Sequence, residues 1–246
     1  MKIYGLIGNP LIHSFSQKYF AEKFSNENIK DCSYQNFQTN DLDNEIRKLK
    51  TNPSLYGLNV TIPYKSQIIP FLDIVSKECD EIGACNCIKI HNEKWIGFNT
   101  DILGFEKTFT RHLKPHNKKA LILGTGGSSK AVAYILRKLN MEYLFVSRDK
   151  KSESKNMTYS DITLPIIQEY NVVINTTPLG MFPDTNGFPE LPYQYISNKN
   201  YFFDLIYNPK KTIFLSKAEA MGATIENGED MLEIQAEESW KIWNQN

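Results

Sequence analysis

The sequence predicts an α/β protein built from two successive strand–helix sets, and three observations carry that prediction. Short β-branched or apolar runs alternate with helix-like stretches along the chain. A glycine cluster, LILGTGGSSKAV, falls between a predicted strand and a predicted helix. A polar, proline-containing connection, KPHNKK (114–119), separates the two sets a little beyond residue 100. The expected organisation is a first domain over 1–100, with a parallel or mixed sheet, and a second over 101–228. A C-terminal helix within 229–246 is expected to pack back on the first domain.

Taken in order, KIYGLIG reads as a strand, and SQKYFAEKFSNEN as a helix with Tyr19, Phe20 and Phe24 on one face. CSYQNFQ is a strand, and DLDNEIRKLK a helix begun by Asp41. In GLNVTIP, the β-branched Val60, Thr61 and Ile62 argue for a strand that Pro63 closes. YKSQIIPFLDIV then begins like a helix, which puts Lys65 in a first turn where the dipole opposes a cation. NCIKIHN and EKWIGFN read as a hairpin turned at His91–Asn92–Glu93, and NTDILGFEKTFTRHL as a helix. The second set opens with ALILG as a strand, SSKAVAYILRKLN as a helix and EYLFVSR as a strand. NVVINTT and YFFDLIY are two more strands, and KTIFLSKAEAMG is a helix ended by Gly222. The last helix, EDMLEIQAEESWKIW, spaces Leu232, Ala236 and Trp240 by four residues.

Lys plus Arg equals Asp plus Glu at 28 each, so no global field favours nucleic acid or an anionic membrane surface. No run approaches the roughly 20 apolar residues of a membrane-spanning helix, and MKIYGLIGNP breaks too early for a secretory signal. A cytoplasmic protein is expected. Cys32, Cys79, Cys85 and Cys87 lack the paired spacing of a structural zinc site. They are expected as free thiols, with no metal.

The glycine cluster is suited to a pyrophosphate, because a helix N-terminus offers free N–H groups and a positive dipole end. Gly124 permits the tight turn and Gly126 close backbone approach, while Ser129 replaces the third glycine of the usual fingerprint. At the end of the second strand stands VSRDKKS (146–152). Arg148, with Lys150 and Lys151, favours a 2′-phosphate and hence NADP over NAD, although Asp149 opposes it.

Four polar insertions each follow or end a predicted strand: NPLIHSFS, NVTIPYK, ACNC and GFNTD. Ligands of open α/β sheets sit beyond strand carboxyl ends. Ser14, Ser16, Asn59, Thr61, Asn86 and Thr100 supply small hydroxyl and amide groups suited to a polyhydroxylated ligand, and Lys65 and Asp101 add one charge of each sign.

YGLIGNPLIHSFS, GLNVTIPYK, GACNCI, GFNTD, LGTGGSSKAV, NTTPLGM, DLIYNPKKTIFL and NGEDMLEIQA resemble, in order, the signature stretches of shikimate dehydrogenases. The resemblance implies a substrate domain, a Rossmann-type NADP domain and reversible reduction of 3-dehydroshikimate to shikimate in aromatic amino-acid biosynthesis. By that resemblance Ser14, Ser16 and Tyr207 hold the substrate carboxylate, and Thr61, Asn86, Asp101 and Gln235 meet the ring hydroxyls, with Asn59 in support. Lys65 is the catalytic lysine, paired with Asp101. Gly124, Gly126, Gly127 and Ser128 cradle the pyrophosphate, and Ser147, Arg148 and Lys151 surround the adenosine phosphate. Thr176, Leu205, Gly228 and Met231 border the ribose and nicotinamide.

The sequence departs from the family pattern in HSFSQ, which lacks a proline, in Cys87 for threonine, and in SRD for N-R-T. The interval from Arg148 to Asn171 looks shortened, as if lacking one regular helix. A monomer or homodimer acting on a small molecule is expected. The alternatives are an NAD-linked quinate/shikimate dehydrogenase and a non-catalytic ligand-binding homologue.

Overall fold

The computed structural model describes residues 1–11, 14–148 and 156–245. They divide into two units, residues 1–100 with 236–246, and residues 101–235.

The first unit holds β1 (Lys2–Gly8), α1 (Phe15–Asn26), β2 (Cys32–Gln38), α2 (Leu42–Lys50) and β3 (Leu55–Val60). β4 (Ile74–Val75), α3 (Lys77–Ile82), β5 (Cys87–His91) and β6 (Lys94–Phe98) follow. Its sheet runs β2-β1-β3-β5-β6-β4. β1 is parallel to both β2 and β3, whereas β5 is antiparallel to β3 and β6, so the sheet is mixed. Local chemistry explains several boundaries. Asp41 caps α2 by accepting from the Asn44 N–H at 3.1 Å. Asn92 and Glu93 turn the hairpin with φ of 49° and 61°, the left-handed pair that a two-residue β-turn requires.

The stretch after Pro63 corrects the expectation of a helix at Lys65. Residues 62–68 form turns, and only Ile69–Phe71 makes a short 3-10 segment. Pro70 lacks the N–H that would carry an α-helix through that position. The Lys65 carbonyl instead accepts from the Cys85 N–H at 2.6 Å. No α-helix dipole therefore acts on Lys65 from its own segment. Cys79, Cys85 and Cys87 are buried and free, and burial pushes the Cys87 thiol up to about 12.

The second unit begins with α4 (Asp101–Phe109), β7 (Lys119–Leu123), α5 (Gly127–Lys138), β8 (Glu142–Ser147) and β9 (Asn156–Thr158). It continues through α6 (Leu164–Glu169), β10 (Val172–Asn175), β11 (Tyr201–Asp204), α7 (Ile213–Ala220) and β12 (Thr224–Glu226). Its strands are all parallel in the order β12-β11-β10-β7-β8-β9, the doubly wound arrangement of dinucleotide-binding folds. The interval after Arg148 carries β9 and the six-residue α6, so it does contain a short helix.

The last helix, α8 (Glu229–Asn244), is divided between the units, its residues from Ala236 onward belonging to the first. Its buried residues there are Ala236, Ser239 and Trp243, and the half-buried Trp240 packs against Tyr4 and Phe24. Trp243 stacks on Tyr4 at 4.8 Å and donates its indole N–H to the Ile88 carbonyl at 2.9 Å. A Cβ on Gly57 would lie 2.4 Å from that indole nitrogen, so glycine is required where β3 meets the ring.

Candidate active site

In the first unit the strand order reverses direction between β1 and β3, and the chain leaves both strands at that point. Brackets of backbone hydrogen bonds knit the two exits together. The Thr61 N–H donates to the Ile7 carbonyl at 2.9 Å, and the Asn9 N–H donates to Ile62 at 2.9 Å. A Cβ on Gly8 would fall 2.4 Å from the Thr61 methyl, so this approach also depends on glycine. Ser14 follows the β1 exit, and Thr61 and Lys65 follow the β3 exit, both half-buried.

Ser14 occupies the N-cap of α1, yet its side chain makes no capping bond. Its buried Oγ has no hydrogen-bond partner among the described residues. A buried hydroxyl at a helix N-terminus with nothing to bind is fitted to an anionic ligand group.

Behind these loops lies a closed polar network. The Tyr34 hydroxyl donates to Asn59 Oδ1 at 2.9 Å, and Ser16 hydrogen-bonds Tyr34 in turn. Asn59 Nδ2 donates to the Asn86 carbonyl at 3.2 Å and to Ser239 Oγ at 2.9 Å. Asn86 Nδ2 reaches Thr100 Oγ1 at 3.1 Å, and the Thr100 N–H returns to Asn86 Oδ1 at 2.6 Å. The hydroxyls of Thr100 and Ser239 lie 3.2 Å apart. Asn59 is 4 % exposed, its side chain spent on these neighbours. Ser239 and Tyr34 complete the network although neither stands in a motif. The one signal for Ser239 is its place a single turn after Gln235.

In the second unit the corresponding reversal lies between β7 and β10. Gly124 leaves β7 with φ of +101°, a conformation that side chains resist. Gly126 caps α5 without a capping side chain, and a Cβ built on it meets nothing within 4 Å. The open space and the uncapped first turn, with Gly127 and Ser128, fit a phosphate group. Ser129 is 1 % exposed and gives its hydroxyl to the Gly126 carbonyl at 2.7 Å, so the third fingerprint position tolerates serine here.

Thr176, at the β10 exit, gives its hydroxyl to the Leu123 carbonyl at 2.6 Å and lies against Gly124. Gly228 packs so closely on Leu205 that a Cβ would sit 2.2 Å from the Leu205 carbonyl oxygen. Beside it, Asp204 is fully buried and accepts from Asn175 at 3.0 Å, the Ile206 N–H at 3.1 Å and Thr212 at 2.6 Å. Burial nevertheless raises its carboxyl to about 6. Met231 packs on Gly104, and Ser147 and Arg148 end β8, Arg148 exposed. Lys151, together with Asp149 and Lys150, lies outside the described residues.

The expected substrate residues are thus divided. Ser14, Ser16, Asn59, Thr61, Lys65 and Asn86 belong to the first unit, and Asp101, Tyr207 and Gln235 to the second. Asp101 is buried as the first residue of α4, Tyr207 is half-buried after β11, and Gln235 donates to the Leu232 carbonyl at 2.9 Å.

A doubly wound unit with a glycine turn at its reversal, joined to a mixed-sheet unit with its own polar reversal, defines a dinucleotide-dependent two-unit protein. The family model for the shikimate dehydrogenase substrate binding domain matches residues 6–88. The shikimate dehydrogenase (NADP(+)) of Caldicellulosiruptor saccharolyticus is 38% identical over 258 residues, covering 99% of this chain and 92% of that protein. Its counterpart in Methanococcus vannielii is 35% identical over 271 residues, covering 97% of this chain and 90% of the relative. The crystal structure of shikimate dehydrogenase from Aquifex aeolicus matches with a TM-score of 0.88 at 33% identity, covering 99% of this chain and 92% of that one. The chain belongs to the shikimate dehydrogenase family.

Proposed function

We propose that this protein catalyses the reversible NADPH-linked reduction of 3-dehydroshikimate to shikimate, in the biosynthesis of aromatic amino acids. Family membership over nearly the whole chain carries the proposal. The unpartnered Ser14 hydroxyl at the first reversal and the open cradle at Gly126 support it.

The first unit is assigned as the substrate-binding catalytic domain and the second as the NADP-binding domain. NADPH, when bound, supplies a hydride to the carbonyl carbon. The chain must then deliver a proton to the oxygen, and Lys65 is assigned that task, with Asp101 as the carboxylate that serves it. Ser14, Ser16 and Tyr207 are assigned to the substrate carboxylate, and Thr61, Asn86 and Gln235 to its hydroxyls. Asn59 holds Asn86 in place. The backbone of Gly124, Gly126, Gly127 and Ser128 would hold the pyrophosphate, with Ser147, Arg148 and Lys151 at the adenosine phosphate. Thr176, Leu205, Gly228 and Met231 would border the ribose and nicotinamide. The expected metal-free enzyme would work in the cytoplasm on small molecules rather than nucleic acid, as a monomer or homodimer. Among the described residues, no helix is long and apolar enough to cross a membrane.

The test is loss of NADPH absorbance on adding 3-dehydroshikimate, repeated with NADP or NAD against shikimate or quinate. Turnover with the NADP–shikimate pair above the other three is expected. A folded protein without turnover would overturn the assignment.

A further inference from the structure

The first unit carries a cavity of about 770 Å³ at the opposite end of its sheet from the Ser14 and Lys65 loops. β1 and β3 begin there, the β5–β6 hairpin turns there, and the end of α8 closes one side. The volume lies within the range of small-molecule sites, roughly 300–1,000 Å³.

Two properties of the wall narrow what it would hold. The first is charge. Lys2, Lys50 and Lys89 contribute cations, and Glu93 is the one acid in the lining among the described residues. Lys89 donates to the Gln245 carbonyl, whereas Lys2 lies 5.4 Å over the Tyr56 ring and Lys50 lies 5.5 Å over the Trp95 ring. Exposed cation–ring contacts are weaker than charge-assisted hydrogen bonds to a carboxylate, so an anion could draw both groups from their rings. Doing so would free aromatic surface for an apolar partner.

The second property is a phenol donor. Tyr4 lines the cavity, is 1 % exposed, and stacks on Trp243, and its hydroxyl is not one of the fully buried atoms that lack a partner. Burial raises the phenol well above its ordinary range, so it remains a protonated donor. A phenol hydroxyl on the cavity wall can donate to a polar atom of a ligand held there.

We propose that this cavity is a second small-molecule site, which binds an aromatic carboxylate with its charge on Lys2 and Lys50 and a polar atom on Tyr4. The site is separate from the reaction centre and does not depend on the assigned activity.

The probes are 4-hydroxybenzoate, benzoate and uncharged benzamide, titrated against the full-length protein while tryptophan fluorescence is followed. Trp95 and Trp243 both line the cavity and report occupancy. Saturable binding of the two acids is expected, with Kd of about 1 mM or below. Benzamide should bind at least roughly fivefold more weakly. Combining Lys2→Gln with Lys50→Gln should weaken the acids by a similar factor, and Tyr4→Phe should weaken them roughly threefold while preserving the packed ring. Lys65→Ala should leave probe binding unchanged, and excess shikimate should not displace the probes. Absence of saturable binding to about 10 mM would overturn the proposal. So would equal binding of benzamide, indifference to the cavity variants in protein with unaltered circular dichroism, or displacement by shikimate.

Discussion

The two sheet reversals solve one problem with different materials. At the β1/β3 reversal the machinery is made of side chains: Asn59, Asn86, Thr100 and Ser239 satisfy one another, and Ser14 and Lys65 stand in front of them. At the β7/β10 reversal the machinery is mostly missing side chains, with Gly124 and Gly126 letting backbone turn or approach, and beyond β11 Gly228 likewise lets backbone pack on Leu205. The difference suits the ligands proposed for the two reversals. A pyrophosphate is recognised by N–H groups at a helix start, whereas a polyhydroxylated ring needs donors and acceptors in several directions. The first reversal should therefore fail when side chains are removed, and the second when they are added.

The largest effect is expected at Lys65. Lys65→Ala should lower kcat by roughly 10²- to 10⁴-fold with little change in shikimate affinity, read from steady-state kinetics and equilibrium titration. Equal losses in both would make Lys65 a binding residue. Next come two glycines that look alike in sequence. Gly228→Ala must push the Leu205 backbone aside and should cost about 2–3 kcal/mol in urea unfolding. Gly126→Ala has open space, so stability should stay within about 0.5 kcal/mol. NADPH affinity should nonetheless fall about tenfold, because the methyl occupies the phosphate approach.

Asp204 is the side-chain exception within the second unit. Its carboxyl is raised in the folded state to about 6, so the protonated form is the one that folding favours. That contribution is complete below the unfolded value near 3.8 and is lost as pH rises through about 6. Relative to Asp204→Asn, the native protein should lose roughly 1–3 kcal/mol between about pH 4 and about pH 7 in denaturant midpoints. A flat difference would mean that its three donors offset burial. The smallest effect belongs to Ser239→Ala, which should cost about 1–2 kcal/mol by leaving Asn59 Nδ2 one partner short. Its kcat should also fall severalfold with KM for NADPH unchanged, since Thr100 loses a neighbour beside Asp101.

Much of this contrast is legible in the amino-acid sequence. The strands, the hairpin at Asn92–Glu93 and the glycine turn at Gly124 follow from local propensity and backbone restriction, which neighbouring residues encode. The Lys65 helix failed because Pro70, five residues on, outweighed an apolar pattern, and because the Cys85 N–H competed for a carbonyl. Ser239 and Tyr34 were invisible for a different reason. Their partners are remote in sequence, Asn59 lying 180 residues from Ser239, and a lone serine on a helix carries no periodic signature. Short elements such as β4, with two residues, and β9, with three, form only because a neighbouring strand offers a ladder.

The division of α8 bears on how the chain is made. Residues 101–235 are translated between the two pieces of the first unit, so that unit cannot close its aromatic core when its own hundred residues emerge. Until Trp243 arrives, the face of Tyr4 and the bare backbone of Gly57 lie open to water and to other nascent chains. The dinucleotide-type unit has no such wait. Synthesis therefore delivers a nearly complete second unit before the first can finish, and the final turns of one helix act as the late closing piece.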